Sequence, residues 1–512
     1  MEDENIFDNS KNPQIVSDAS SPLTKLKPLG LRPRAIFRQT SMVILANLGV
    51  ISSGIALGYP TVTLKQLTDT QNANALTMSQ MSWFASINAI SCPIGGLLCG
   101  YLLDKIGRKK SIVTISITAL ISWLVMTTSF HEDNLGFFIQ IMISRFIIGI
   151  TTGMSSAPCS IYAAEISHPK LRGRLTLGSS VATAGGIFLI YMLGYLIRDD
   201  WMTISILSGI YALISLILGF IIPESPSWLL TQGRHEEAKK ILRYFRGIKS
   251  TDTYFYEEIE REYTRLEKSA VHPIGQKKKN FSKMLKKPEV WKPLSIMVIF
   301  FAFQQFSGTF VLIVYAVQFA IEAGVTIDPL LCAMFIGLTR LLTTFLVGYI
   351  LDKWGRRPSA IMSGFGMAIC MILLAGCTWF PDLNNIPYLK VICIIVYIFT
   401  STFGLMTLPF SMISEVYPQK VRGQCSGTTI FFCSILFFIA INQYPAMVRE
   451  MGKENVFALF GAVSLLAIVF IYFFLPETKG KTLHEIEEYF IYGKNGRPAD
   501  TTEVEMKEIF VK

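Results

Sequence analysis

Charged residues are scarce in this chain. Asp, Glu, Lys and Arg make up 16% of its 512 residues, whereas hydrophobic residues make up 51%. An average soluble protein has about 25% charged residues. The mean hydropathy is +0.43. These values exclude an ordinary water-soluble protein and indicate a polytopic membrane protein, for which the lipid bilayer is the main solvent.

Residues that carry catalysis or bind metals are also few. The five histidines fall in predicted loops or tails, and the nine cysteines show no metal-ligand or disulfide spacing. Most of the cysteines lie inside apolar segments, where we interpret them as small core residues: Cys92, Cys99, Cys370, Cys393 and Cys433. No Ser, Cys or His constellation indicates covalent chemistry. We expect neither an enzyme nor a bound metal or cofactor.

An apolar leader with a small-residue cleavage site is also lacking. Residues 1–38 are polar, so no cleaved signal peptide is expected. The net charge is +10, but the basic residues cluster beside apolar spans. Retention on the cytoplasmic side of a membrane explains that placement better than a nucleic-acid site does. The expected partners are therefore lipid and a small-molecule solute, and not a nucleic acid.

Apolar runs of about 20 residues, the length needed to cross a bilayer, occur twelve times. They lie near 41–60, 82–103, 111–129, 136–157, 175–196, 202–222, 293–320, 329–351, 359–379, 388–413, 425–444 and 456–475. Twelve short-loop Lys and Arg residues fall on one side, within 105–110, 170–174, 353–357 and 420–422. Five fall on the other side: Lys65, Arg198, Lys390, Arg449 and Lys453. The positive-inside rule then places both termini in the cytoplasm, and we expect the plasma membrane.

One long polar segment, about 224–292, divides the chain into two groups of six spans. The predicted domains are a tail (1–40), a first bundle (41–223), a cytoplasmic linker (224–292), a second bundle (293–475) and a second tail (476–512). Within the linker, Arg234–Gly247 and Tyr254–Ser269 are helix-compatible. We expect short helices that bridge the halves, because the linker is too small to bury a core of its own.

The two groups of spans repeat one pattern. The run Gly100-Tyr-Leu-Leu-Asp104-Lys-Ile-Gly-Arg108 returns as Gly348-Tyr-Ile-Leu-Asp352-Lys-Trp-Gly-Arg356. Glu165 and Glu415 each precede an Arg-Gly pair by seven residues, and Pro223-Glu-Ser is echoed by Pro476-Glu-Thr. The three landmarks keep both their order and a similar offset, which indicates an internal duplication. Parallel repeats of this kind place a cavity at their interface near the bilayer midplane.

Together with Pro223-Glu-Ser-Pro-Ser-Trp-Leu229 and Gln304-Gln-Phe-Ser-Gly308, these repeats resemble the sugar porter family of the major facilitator superfamily. Within that family, the pattern is similar to insect facilitated trehalose and glucose transporters. The resemblance covers about 40–490. It implies an all-α polytopic membrane protein with twelve transmembrane helices in two six-helix halves. It also implies that the halves rock about a central site by alternating access.

Acids and bases recur together at the predicted cytoplasmic helix ends, and the resemblance gives these positions a gating role. They are Asp104, Arg108, Glu165, Arg172, Asp352, Arg356, Glu415 and Arg422. Basic residues that only orient the loops would explain the lysines but not the paired acids. We therefore expect a charge network that closes the cytoplasmic face and opens when substrate leaves.

Arg145, in the fourth span, is costly in lipid unless it faces a cavity or finds partners. The resemblance makes it part of the gating machinery, where proton-coupled relatives place an acid of the first span beside it. That span has no Asp or Glu here and offers Ser52 and Ser53 instead. The missing relay favours facilitated transport over proton symport.

Gln304 and Gln305 are the expected substrate ligands, because an amide donates and accepts hydrogen bonds as a sugar hydroxyl does. Glutamines that bond one helix to another are the alternative.

The aromatic side chain of Tyr315 is a candidate lid, and packing is its alternative role. Pro409, Gly404 and Gly427 are expected to break or bend their helices.

Several positions depart from the family's sugar-binding pattern. Phe310 and Arg340 stand where Asn is usual, Ser180 replaces a Gln, Phe410 replaces a Trp and Cys433 replaces an Asn. Each unpaired buried hydroxyl would cost about 1–3 kcal/mol. A hexose is therefore held differently here, or the substrate is not a simple hexose.

Arg340 lies near the middle of its span, and no acid occupies the apolar centre of any span. It either bonds to carbonyls or water, or attracts an anionic or strongly polar ligand.

Our leading hypothesis is a facilitative sugar carrier for trehalose or a hexose such as glucose. The alternatives are a carrier of another solute, such as an organic anion, and a sugar sensor without net transport. We expect no sensor, because the predicted tail 476–512 is shorter than the long cytoplasmic tail typical of one.

Overall fold

The computed structural model describes residues 32–69, 75–129, 134–198, 200–248, 256–271, 284–380, 388–418, 421–481 and 483–492. Within these ranges the regular structure is entirely α-helical. The helices are α1 (Pro33–Leu67), α2 (Met78–Ile106), α3 (Arg108–Thr127), α4 (Asn134–Met154), α5 (Pro158–Ile166), α6 (Pro169–Thr176), α7 (Gly178–Leu196), α8 (Trp201–Gly219), α9 (Pro226–Thr231), α10 (His235–Arg246), α11 (Tyr256–Val271), α12 (Pro288–Phe306), α13 (Thr309–Val314), α14 (Ala316–Ala323), α15 (Pro329–Trp354), α16 (Arg356–Trp379), α17 (Leu389–Phe403), α18 (Leu408–Val416), α19 (Arg422–Met451), α20 (Lys453–Phe474) and α21 (Leu483–Tyr492).

Eleven of the twelve predicted spans correspond to described segments that are long and apolar enough to cross a membrane. The predicted seventh span, 293–320, is instead divided among α12, α13 and α14. Gly308 makes the first break with a φ of +88°, a conformation that side-chain-bearing residues rarely adopt. A Cβ at Gly308 would also lie 2.5 Å from the Phe460 ring. The second break falls at Tyr315, between α13 and α14.

The predicted tenth span is interrupted as well. α17 ends at Phe403, Gly404 follows, and α18 begins at Leu408 with Pro409 in its first turn. The predicted break at Gly404 and Pro409 is therefore confirmed. Gly427 does not break its helix, because it lies within the uninterrupted helix α19, where one glycine costs only about 1 kcal/mol.

Two long seams join the first half (α1–α8) to the second half (α12–α20). α7 packs along α15, and α2 packs along α19. At the first seam, a Cβ on Gly337 would lie 3.0 Å from the Cα of Phe188. At the second, the rings of Trp83 and Phe438 are 5.4 Å apart. The interface between the halves is therefore built from one helix pair on each flank.

The linker helices lie against the first half. Arg38 and Gln39 of α1 each donate a 2.9 Å hydrogen bond to a carbonyl of α10, those of Tyr244 and Phe245. Arg246 donates to the carbonyl of Ile166, at 3.0 Å. The expected helices are present, with α9 in addition, but these contacts fasten them to the first half and do not bridge the two. Residues 1–31 and 493–512 of the predicted tails lie outside the described residues.

The two ends of the bundle differ in their turns. One end carries the Gly107 and Gly355 turns, each followed directly by basic residues, and we call it the basic end. At the opposite end, α7 ends at Leu196, shortly before Arg198, and α15 begins at Pro329. We call this the far end.

Candidate substrate site and gates

An ion pair at the basic end joins two helices of the first half. The guanidinium of Arg108, the first residue of α3, contacts Glu165 in α5 through Nη2 to Oε1 at 2.7 Å and Nε to Oε2 at 3.0 Å. Its Nη1 donates to the carbonyl of Leu103 near the end of the preceding helix. Both partners are mostly buried, so solvent screens this bidentate pair less than an exposed one.

The second half repeats this pair. Arg356 Nη2 lies 2.9 Å from Glu415 Oε1, and Arg356 Nη1 donates to the carbonyl of Leu351 at 3.4 Å. The Thr478 hydroxyl donates to the other oxygen of Glu415. Each pair therefore fastens helices within one half, and neither joins one half to the other.

A half-buried carboxylate that the sequence did not single out as a site lies beside each pair. Glu224 accepts hydrogen bonds from the backbone N–H groups of Arg108 at 2.9 Å and Lys109 at 3.1 Å. These are orphan donors of the first turn of α3, and a negative charge there also suits the helix dipole. Gly107 has a φ of +91°, a conformation that side-chain-bearing residues rarely adopt, and a Cβ there would lie 2.5 Å from Glu224 Oε2.

Glu477 does the same for α16. It accepts from the N–H groups of Arg356 at 3.0 Å and Arg357 at 2.9 Å, and from that of Lys479 at 2.9 Å. Partial burial alone would raise the pKa of Glu477, but these backbone donors and the Arg356 charge outweigh it and lower the pKa. In the sequence, both carboxylates belong to the duplicated Pro-Glu-Ser and Pro-Glu-Thr motifs. Those motifs indicated an internal duplication, and only the contacts show that the carboxylates hold helix starts.

The remaining predicted gate residues are less engaged. Asp104 is exposed, and its backbone carbonyl accepts from Trp228 Nε1 at 3.3 Å. Arg172 is exposed in α6. Arg422 Nε donates to the Tyr417 carbonyl at 3.3 Å, and its Nη2 has no partner among the described residues. The side chain of Asp352 lies outside the described residues.

The far end is sealed by contacts between the halves. The hydroxyl of Thr61 in α1 lies 2.7 Å from the carbonyl oxygen of Ile313 and 2.8 Å from that of Val314, both freed by the break at the end of α13. The N–H of Ala316 donates to the same hydroxyl at 3.2 Å, and Tyr191 of α7 donates to the Ile313 carbonyl. Side chains from two helices of the first half thus provide hydrogen-bond partners for backbone groups at the break in the second half.

Two further contacts cross the halves at this end. Arg198 Nη2 lies 2.7 Å from Asp328 Oδ2, and Asn442 Nδ2 donates to Ser86 Oγ at 3.2 Å. Tyr315, the predicted lid, is instead buried within the second half, where its hydroxyl donates to the Ile441 carbonyl at 3.2 Å. It helps to place the break and does not cover an opening in this conformation.

The two glutamines lie between α12, α17, α18 and α19. Gln304 donates to the carbonyls of Leu405 at 2.9 Å and Met406 at 2.8 Å, which the break after α17 leaves free. Gln305 donates to Gln304 Oε1 at 3.1 Å and to Cys433 Sγ at 3.4 Å. The Oε1 of Gln305 is buried and has no partner among the described residues. Gln304 therefore matches the helix-bonding alternative, and Gln305 keeps a free acceptor.

Three other predicted substrate contacts lie apart from this pair. Phe310 packs edge-on against Phe437, with centroids 5.3 Å apart. Phe410 packs against Phe301 at 5.0 Å and is 47% exposed. Ser180 is exposed near the start of α7. The structure thus joins Cys433 to the glutamines, whereas it shows no direct contact to them from Phe310, Phe410 or Ser180 in the described chain.

The two buried arginines differ. Arg145 Nη1 donates to the Ala56 carbonyl at 2.8 Å and Nε to the Phe84 carbonyl at 3.2 Å, with the guanidinium 5.2 Å from the Phe84 ring centroid. It thereby ties α4 to α1 and α2. Arg340 is 9% exposed, and its Nη1 has no partner in the described part of the chain.

The comparison with protein families agrees with this architecture. A family model described as sugar (and other) transporter matches residues 39–490. This chain belongs to that family. The family is described as one of transporters, not of enzymes.

Among curated proteins, the chain is 29% identical over 479 residues to the facilitated trehalose transporter Tret1 of Drosophila mojavensis. It is 29% identical over 480 residues to trehalose transporter 1 of Drosophila melanogaster. Each alignment covers 93% of this chain and 54% of the relative. The chain thus spans about half the length of these relatives.

Among solved structures, the inward open conformation of the xylose transporter XylE from E. coli has a TM-score of 0.72 and 25% identity, covering 88% of this chain and 99% of that one. The proton:xylose symporter XylE bound to 6-bromo-6-deoxy-D-glucose gives 0.69 and 24%, covering 89% and 99%. The predicted major facilitator fold is therefore confirmed.

Proposed function

We propose that this protein is a facilitative carrier that moves trehalose or a hexose such as glucose across the plasma membrane by alternating access. The basic end faces the cytoplasm, as do both termini, because short-loop Lys and Arg residues favour that side. The far end then faces outward. The trehalose-transporting relatives support this substrate class, and the chain's own contacts support the mechanism.

The observation that carries the proposal is the distribution of contacts between the halves. The far end is sealed by Thr61 and Tyr191 against the broken helix α13–α14, whereas the ion pairs of the basic end stay within each half. This is the arrangement expected of an inward-facing carrier. When the halves rock, the far-end bonds separate, and Arg172 and Arg422 come within reach of carboxylates on the opposite half at the closing basic end.

Uncoupled transport is favoured over proton symport. α1 contains no acid, and Arg145 is held by backbone carbonyls of α1 and α2, which do not titrate. A proton relay needs a group that changes its charge during the cycle. Arg145 therefore acts as a fixed strut of the first half.

Gln305→Leu should depress uptake of the transported sugar by about tenfold or more, because the free Oε1 is lost from the site and one charge-neutral hydrogen bond to substrate is worth about 1 kcal/mol, with desolvation of the sugar hydroxyl added. The measurement is radiolabelled uptake in transporter-deficient cells, with surface level quantified by an epitope tag. Gln424→Leu, an exposed glutamine of α19, is the matched control. Unchanged uptake in Gln305→Leu would place the substrate elsewhere.

Arg198→Ala should have a small effect. The Arg198 and Asp328 side chains are 52% and 28% exposed, and exposed pairs contribute about 0–1 kcal/mol. We expect at most about a fivefold increase in outside labelling of a far-end cysteine probe, and a smaller one at high salt. A change as large as that of a buried contact would show that this pair, and not the buried bonds, holds the far end closed.

A further inference from the structure

Arg340 is the one arginine of the described chain that has an unpartnered buried nitrogen and also lies deep within a membrane span. It lies in α15 about 16 Å from the helix start and about 21 Å from its end at 1.5 Å per residue. Water and headgroups at either end are therefore out of easy reach. A charge held at that depth costs several kcal/mol unless something compensates it.

Arg340 lies on the face of α15 that meets the other half. Gly337, three residues earlier, packs against Phe188 and Tyr191 of α7, and Leu341, one residue later, lies beside Gly185 of α7. Residues three and four apart share one face of a helix. The guanidinium is therefore placed at the seam along which the halves rock, where a transported solute passes.

The described helices at this seam offer no carboxylate to neutralise it. α1, α7 and α13 contain no Asp or Glu, and the one acid of α15, Asp352, is twelve residues away, about 18 Å along the helix. The phenol of Tyr191 is the titratable group that interacts with Arg340, and its hydroxyl already donates to the Ile313 carbonyl.

Arg145 shows that the fold can satisfy a buried arginine when its role is structural. Its guanidinium bonds to two carbonyls and lies against an aromatic ring. Arg340 has no such support among the described residues, which leaves its Nη1 available to a bound solute. A planar guanidinium pairs with a carboxylate through two parallel hydrogen bonds, and one carboxylate balances its single charge.

We propose that Arg340 forms a carboxylate subsite and that the transported solutes include sugar acids, monosaccharides carrying one carboxylate. This rests on the proposed function, because the subsite would act on a solute that the carrier transports. A monosaccharide phosphate fits less well, because it carries about two negative charges at neutral pH and Arg340 supplies one positive charge.

The test compares two sugars that differ only at C6, D-glucose and D-glucuronate, in counterflow into proteoliposomes containing the full chain. We expect the wild type to take up glucuronate at least about tenfold faster at low concentration than Arg340→Gln does. Glucose uptake by Arg340→Gln should stay level or rise. Because the acid carries charge, an inside-positive potential should accelerate its uptake and leave that of glucose unchanged.

Arg340→Lys guards against a folding defect, because it keeps the charge and should retain part of the preference for the acid. Arg449→Gln, an exposed arginine, should behave as wild type. Glucose counterflow without glucuronate counterflow, equal in wild type and Arg340→Gln, would overturn the carboxylate subsite and leave the carrier intact. Absence of counterflow for glucose, glucuronate and trehalose alike would overturn the proposed function itself.

Discussion

Thr61→Val opens the far end of the carrier. In the wild type, one hydroxyl serves the carbonyls of Ile313 and Val314 and the N–H of Ala316. Valine has the same shape but no hydrogen-bonding group, so the Val314 carbonyl and the Ala316 N–H lose this partner while the far end is closed. The Ile313 carbonyl keeps only its bond from Tyr191. A buried group left unsatisfied costs about 1–3 kcal/mol. The cost falls only on the closed state, because opening exposes the same groups to water.

The expected result is roughly a tenfold to hundredfold shift toward the outward-facing state, since about 1.4 kcal/mol corresponds to a factor of ten. It is measured as the rate at which an impermeant maleimide labels Val314→Cys from outside, in the presence and absence of Thr61→Val. The native cysteines are buried or half-buried, so they contribute little background.

Thr63→Val is the matched control for this experiment. Thr63 is also buried in α1, but its hydroxyl donates to the carbonyl of Tyr59 in the same helix. Its loss should leave the equilibrium between the two states unchanged. Equal labelling rates in wild type, Thr61→Val and Thr63→Val would show that the hydroxyl of Thr61 does not hold the far end closed.

Glu224→Ala should lower both sugar transport and the stability of the first half. The carboxylate satisfies the N–H groups of Arg108 and Lys109, and hydrogen bonds to charged groups contribute about 1.5–3 kcal/mol each. Without the carboxylate, the first turn of α3 is no longer held in place. Arg108, the first residue of that helix, is then no longer positioned against Glu165. We expect at least about a tenfold fall in sugar uptake per surface molecule and a lower melting temperature in detergent.

Duplication supplies a built-in comparison for this prediction. Glu477→Ala removes the equivalent carboxylate of the second half and should have an effect of the same size. Glu236→Ala, in an exposed first-turn position of α10, should change uptake and melting temperature little. Normal uptake and a normal melting temperature in both Glu224→Ala and Glu477→Ala would show that these carboxylates do not hold the first turns of α3 and α16.

The architecture was predictable because it depends on patterns that survive without tertiary information. Apolar length located the spans, and the duplicated landmarks placed Arg108, Glu165, Arg356 and Glu415 at the same end without showing which of them pair. The ordered set of motifs, which together resemble a known family, then supplied the fold. Hydrophobicity and repeated order are properties of the chain itself, so they can be recognised without knowing what each side chain contacts.

The roles of single polar residues were less predictable, because they depend on what another helix leaves unpaired. Gln304 was expected to bind substrate, yet it bonds to carbonyls freed by the break near Gly404. Arg145 and Arg340 look alike in the sequence as lone arginines in apolar spans. Only the packing shows that neighbouring carbonyls hold the first and leave the second uncompensated among the described residues.

Thr61 carries no distinguishing signal in the sequence for the same reason. A threonine in an apolar span is common, and its importance comes from the break at Tyr315, which frees the carbonyls that it serves. Thr61 and Ile313 lie 252 residues apart in the chain. No local pattern records such a pairing.

The central claim is that the two ends open in alternation, and paired distances test it directly. One pair of spin labels is placed at the basic end, on Arg174 and Gly423, and another at the far end, on Lys65 and Asp328, in proteoliposomes. On adding Thr61→Val, the account predicts that the far-end distance lengthens while the basic-end distance shortens. Two distances that lengthen together, or neither of which changes, would contradict it.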